Sequence, residues 1–267
     1  MSMKTRVLMT LLRKEWLELL RSYKLIWVPL VFLVLGIMQP VSSYYMPLII
    51  EKAGNMPEGT IIEIPMPSEE QVLAETLSQF GLMGLLILAL SYMGIVSAER
   101  ASGAASLVLV KPISFTAYMV SKWLSMLLFT WGVLLIGYGA AWYYTWLLFD
   151  KVELGPFLIS YLLYGLWFSF ILSATLLFST LLRSAAGAAC SALGLAILLS
   201  LLGGLLPKYM ACSPGALTGY AYEAVQSASG SMKADAPLWC SIGLTAALVA
   251  ACLMGSAALL RRAPAID

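Results

Sequence analysis

The chain has 267 residues, of which 61% are hydrophobic and 11% charged, and its formal net charge is +2. A soluble domain carries about 25% charged residues, so with a mean hydropathy of +0.88 this chain has too little polar surface to enclose a water-exposed core. The small net charge gives no ground for a nucleic-acid partner. The chain has no histidine, and Cys190, Cys212, Cys240 and Cys252 match no zinc-ligand spacing, which leaves no metal set and no histidine-based catalytic group.

The chain opens on residues 4–24, KTRVLMTLLRKEWLELLRSYK. Leu8, Leu12, Trp16, Leu19 and Leu20 fall on one helical face, and Arg6, Thr10, Arg13, Lys14, Glu18 and Arg21 on the other. That pattern predicts a helix lying in the membrane interface with its basic side toward lipid phosphates. Some 24 amphipathic residues ahead of the first apolar run are unlike a cleavable signal, which has a short basic stretch before a short apolar core.

Uncharged runs follow. Between Lys24 and Glu51 lie 26 residues without a charge, between Glu75 and Glu99 23, and between Lys122 and Asp150 27. Glu153 to Arg183 encloses 29, Arg183 to Lys208 24, and Asp235 to Arg261 25. Each exceeds the roughly 17 residues that cross the hydrocarbon as a helix, and a lipid-exposed backbone must satisfy its own hydrogen bonds. The expected fold is therefore all-α, with one transmembrane domain over 1–267 and spans at about 25–50, 76–98, 123–149, 157–182, 185–207 and 237–260. Segments 51–75 and 208–235 become the longer extracytoplasmic loops, and Cys212 and Cys240 fall on that same side, where a disulfide is conceivable.

An even number of spans puts both termini on one side. Twelve basic residues fall on the side of the termini and four on the other, which predicts cytoplasmic termini. Trp27, Tyr44, Tyr45, Trp123, Trp142, Tyr143, Tyr144, Trp146 and Trp239 lie near span ends, where aromatic rings serve as interfacial anchors or pack between helices. No charge falls inside a run, which argues against a proton-coupled carrier. Gln79, Ser91, Tyr92, Tyr138, Ser169 and Ser173 are polar within the runs and read as helix–helix hydrogen-bonding groups, not as a substrate site.

The cytoplasmic loop between the second and third spans, residues 98–121, carries the other distinctive pattern. Glu99-Arg100 is followed by Gly103, the apolar run Leu107, Val108, Leu109 and Val110, then Lys111-Pro112, and Lys122 opens the third run. Residues 104–110 are too few to span, so a short helix ending at Pro112 is expected, its apolar side covered by protein or bilayer.

Together, the amphipathic N-terminal helix, the six runs and this loop resemble the permease subunits of type-2 ATP-binding-cassette (ABC) transporters, a class made mostly of exporters. The matching residues are Glu99-Arg100-Ala101-Ser102-Gly103, Leu107 to Val110, Pro112-Ile113-Ser114 and Lys122. Ala104 and Phe115 depart from the pattern, which often has Thr and a basic residue there. The resemblance implies an elbow helix and a coupling segment that dock a separate ATPase. The residues it assigns to that contact are Arg13, Trp16, Glu99, Arg100, Gly103, Leu107, Leu109, Lys111 and Pro112. It also implies a second permease copy or homologue, residence in the cell membrane, and no catalytic site or cofactor in this chain, with ATP and Mg bound by the partner. The chain has no G-x-x-x-x-G-K-[ST] phosphate loop. The competing reading is a non-transporting anchor or assembly subunit.

Overall fold

A computed structural model describes residues 3–53, 66–103, 114–149, 152–226 and 236–262. The elbow helix α1 (Met3–Arg21) leads into the first span, α2 (Lys24–Ala53). The second span is assembled from α3 (Glu69–Gln79), a π-helical segment (Phe80–Gly84), α4 (Leu85–Tyr92) and α5 (Ser97–Ala101). Then come α6 (Phe115–Leu148), α7 (Leu154–Leu181), α8 (Ala185–Leu205), two short helices α9 (Pro207–Met210) and α10 (Ala216–Gln226), and the last span α11 (Ala236–Arg262). Six helices are long and apolar enough to cross a membrane, and no strand occurs among the described residues.

The elbow turns into the first span at Tyr23, the one described non-glycine residue with positive φ (57°). A left-handed residue closing a helix lets the chain change direction within two residues, at a cost that glycine would avoid. The span that follows keeps its helix through Pro29, Pro40 and Pro47, as membrane helices can when neighbouring groups take up the freed backbone.

The apolar runs locate the spans, and the structure shifts their ends. The second span begins at Glu69, inside the expected 51–75 loop, because the Ser68 hydroxyl caps it by accepting from the Gln71 N–H at 3.3 Å. Ser114 does the same for α6, accepting from the Ala117 N–H at 3.2 Å, so this helix starts eight residues before the expected 123. The expected 208–235 loop contains α9 and α10, and α10 packs Leu217, Ala221, Ala224 and Val225 inward. Across the adjoining junction the Ser241 hydroxyl donates to the Ser213 carbonyl at 2.8 Å, and Cys212 and Cys240, neighbours there, are both free thiols.

The fourth span, α7, is the axis of the bundle, with 72% of its most apolar window buried, against 17–22% for the first, fifth and sixth spans. Serines on α7 stitch it to α6. Trp123 Nε1 donates to Ser173 Oγ (2.8 Å) and Trp131 Nε1 to Ser169 Oγ (3.0 Å), while Tyr138 and Ser160 pair at 2.9 Å. Each of these serines also donates to a carbonyl one turn back in its own helix. Inter-span bonds of this kind contribute about 0.6–2 kcal/mol each in a bilayer. Tyr92 completes the set by lying 3.5 Å from Thr130 of α6. Trp123 therefore packs between helices, whereas Trp27, Tyr45, Tyr143, Trp146 and Trp239 are exposed at span ends as interfacial anchors are.

The first and third spans cross through glycine. A Cβ on Gly36 would lie 2.0 Å from the Gly137 carbonyl oxygen, and one on Gly137 would lie 2.8 Å from the Phe32 carbonyl oxygen. Backbones this close admit no side chain at either position. Phe32, one turn away, stacks on Phe80 at 5.2 Å, so the crossing also locates the second span. Gly36→Ala is expected to destabilise the protein by about 1–3 kcal/mol, read as earlier unfolding in a detergent denaturation series. Gly139→Ala on α6 has no atom within 4 Å of its new Cβ and is expected to be neutral or slightly stabilising.

Candidate coupling site

Three elements meet at the end of the bundle that holds the elbow: α1, the last turn of the second span, and the first turns of the third. The elbow is amphipathic, yet its innermost stripe runs Leu11, Glu15, Leu19, all buried. That stripe is rotated from the face expected from sequence, since Leu20 is 47% exposed and Trp16 only half-buried. A carboxylate at the centre of a buried stripe must have a cation opposite.

The cation is Lys122. It lies two turns into α6 and is fully buried, with Nζ 3.1 and 3.2 Å from the two Glu15 oxygens and 2.9 Å from Glu99 Oε1. Lys14 bridges the same acids from the outer side. It is 3.0 Å from Glu15 and 3.1 Å from Glu18, and it also pairs with Glu99. The Tyr118 hydroxyl donates to the other Glu99 oxygen, and its ring lies 5.1 Å from Lys122 Nζ. Glu15, Glu18 and Glu99 converge closely enough to hold a metal ion, but two ammonium groups already sit among them, so the cluster reads as an ion-pair knot.

Such a knot is costly to break. Burying one ion costs several kcal/mol, repaid only when its partners are well placed. Here every member is, and the result joins the elbow, the second span and the third. Sequence boundaries placed Lys122 just outside the third span. Its partners come from residues 107 and 23 positions earlier in the chain, so no local pattern announced that it could be buried.

A second set of bonds continues from this knot to the fourth span. Arg100 Nη1 donates to the Thr180 carbonyl at 2.8 Å. The helix is interrupted between Tyr92 and Ser97, and the Ser179 hydroxyl fills the break. It accepts from the Val96 and Ser97 N–H groups, each at 3.2 Å, and donates to the Met93 carbonyl at 3.0 Å.

The residues assigned from sequence thus divide. Glu99 and Arg100, assigned by the resemblance to the partner contact, are engaged within the chain. Gly103 ends α5 in the left-handed region (φ 73°). Arg13 is exposed on the elbow and Trp16 is half-buried. Leu107, Leu109, Lys111 and Pro112 lie outside the described residues. Lys14, Lys122 and Tyr118 as partners of Glu99, and Glu15 as the second acid on Lys122, were not anticipated. The one available signal was Glu15 itself, an acid spaced four residues from both Leu11 and Leu19.

Of the polar span residues, Tyr138, Ser169 and Ser173 are cross-links, as described above. Ser91 donates to Ile87 in its own helix while its carbonyl accepts from Lys24 Nζ (2.5 Å). Gln79 keeps a buried Oε1 that has no partner among the described residues.

Six apolar helices, with an amphipathic N-terminal helix locked to them by buried charge, define a multi-pass membrane protein. Residues 9–253 match the family described as ABC-2 family transporter protein, and the chain belongs to that family. It is also similar to an uncharacterized transmembrane protein of Bacillus subtilis (strain 168), YxlG, at 42% identity over 202 residues, which is 76% of this chain and 78% of that one. The family supplies the membrane component of ABC transporters, and its members work with an ATPase.

Lys122→Met leaves Glu15 and Glu99 short of their buried cation and is expected to cost roughly 3–5 kcal/mol in denaturant unfolding. Adding Glu15→Leu to the same chain should recover a large part of that loss. Lys14 offers a chemical check. Burial acts to lower its ammonium pKa, but the hydrogen bond it donates to Glu99 and the fields of Glu15 and Glu99 outweigh it and raise the net value well above the usual lysine range. A raised pKa leaves less free amine at any alkaline pH. Lys14 should therefore resist amine-directed labelling that modifies exposed Lys208, as read by peptide mass spectrometry.

Proposed function

We propose that the chain is the permease subunit of an ABC exporter and that the Glu15–Lys122–Glu99 knot transmits displacement from a docked ATPase into the spans. The knot carries this reading. An elbow that served only as a surface anchor would need apolar burial and lipid phosphates, not a fully buried lysine shared between two acids from separate elements. With the knot intact, the elbow cannot move without carrying the ends of the second and third spans. Arg100 and Ser179 then pass the movement to the fourth span, which runs through the centre of the bundle.

The ATPase contact is assigned to the exposed side of the elbow, including Arg13, and to segment 104–113. ATP and Mg belong to that partner. A second copy of the chain, or a homologous permease, completes the pathway. Export as the direction follows from the class the sequence resembles.

The test begins with capture of the ATPase. Replacing residues 104–114 with a Gly/Ser linker should abolish co-purification of the ATPase while leaving the permease folded; undiminished capture would place the contact elsewhere. Lys122→Arg keeps the charge but changes its shape, and should leave capture intact while lowering transport several-fold. ATP-dependent efflux from vesicles holding both subunits separates this reading from a non-transporting anchor, which would show none.

A further inference from the structure

Two cysteines meet at the end of the bundle opposite the elbow. α8 begins beside the Ser179 end of the fourth span and runs away from it, so the turn between α9 and α10, residues 211–215, lies at the far end, where the last span begins. Cys212 sits in that turn and Cys240 near the start of α11, 28 positions later in the chain, and the two side chains are neighbours. Both are free thiols, Cys240 exposed and Cys212 half-buried.

The backbone around them is held by bonds that do not involve sulfur. The residues next to each cysteine are joined, since the Ser241 hydroxyl donates to the Ser213 carbonyl at 2.8 Å and both serines are buried. That carbonyl also accepts from the Ala216 N–H at 3.1 Å, and the Ser213 N–H donates to the Met210 carbonyl at 2.8 Å. The Tyr220 hydroxyl donates to the Ala211 carbonyl at 3.1 Å. Behind the turn, a Cβ on Gly215 would lie 2.4 Å from the Leu199 carbonyl oxygen, so the turn is seated directly on α8. A disulfide needs Cα atoms about 4.4–6.8 Å apart. Two thiols held as neighbours on fixed backbones need only side-chain rotation to bond, whereas cysteines on loose segments must first be brought together. The last span is among the least buried, so a covalent tie at its start adds a constraint that its packing does not supply.

We propose that Cys212 and Cys240 form a redox site, a dithiol that closes to an intramolecular disulfide and ties the α9–α10 hairpin to the last span. The oxidant is a low-molecular-weight disulfide. The thiolate of Cys240, the more exposed of the two, attacks one sulfur of the oxidant and releases one small thiol. The Cys212 thiolate then attacks the Cys240 sulfur and releases the second. Two protein thiols and one small disulfide thus become one protein disulfide and two small thiols, and two electrons pass to the oxidant. The loop charges predict that this end of the bundle faces outside the cell, where disulfides persist. The chemistry needs no ATPase and does not rest on the permease reading.

The full chain in lipid nanodiscs is reduced, freed of reductant and treated with oxidised glutathione, and its peptides are mapped by mass spectrometry without reduction. The expected product is a cross-link between the peptides holding Cys212 and Cys240, with no glutathione retained on either. Cys212→Ser blocks the second step, so Cys240 should keep one glutathione. The oxidised chain should unfold at a higher temperature than the reduced one, because the closed loop restricts the unfolded state. Oxidised and reduced Cys212→Ser should unfold together. Unmodified thiols, glutathione left on both cysteines, or cross-links joining two copies of the chain instead overturn the inference. So does an oxidised form no more stable than the reduced one, which would mean that the bond closes only by distorting the turn. None of these results bears on ATP-dependent transport, which is measured separately.

Discussion

A lysine with no exposed surface lies between carboxylates from two other elements, and the architecture of the elbow corner follows from that constraint. Lys122 is two turns into a membrane helix, where an unpaired charge would cost several kcal/mol. Its charge is tolerable only if Glu15 of the elbow and Glu99 of the second span are both present. The elbow therefore has one rotation about its axis and one height against the bundle. An apolar stripe alone would fix neither, because dispersion contacts change smoothly as a helix slides or rolls, and an ion pair at about 3 Å does not.

The rest of the bundle is arranged around the fourth span. Its serines hold the third span by hydrogen bonds, and its end fills the break in the second. The first span is located differently, by the backbone contact of Gly36 and Gly137. Rigid connections thus run from the elbow through the second and third spans to the central helix. The first, fifth and sixth spans present broad apolar faces outward. Coupling between distant ends of a protein requires elements that move as units, and a chain of short polar contacts among close-packed helices is one way to build them.

The two ends of the fourth span differ in chemistry. At Ser179 and Thr180 its hydroxyl and carbonyl groups complete the hydrogen bonding of the second span. Toward its start, Tyr164 and Trp167 face an open space that glycines keep unfilled. The π segment and the break at residues 93–96 are both in the second span, so that span is regular at neither region. Both irregularities are closed by polar groups from the fourth span, Tyr164 at one and Ser179 at the other.

Composition and the spacing of charges determined the solvent, the number of spans and the presence of an elbow, because a hydrocarbon slab sets a length that a charge-free run either meets or does not. The loop-two residues, with the topology, carried the family resemblance. Helix ends were less legible, since Ser68 and Ser114 cap spans inside stretches that hydropathy reads as loop. Only the tertiary structure decided what Glu15, Glu99 and Lys122 do. Each is an ordinary charged residue in its own neighbourhood, and their meaning lies in distances between positions up to 107 residues apart.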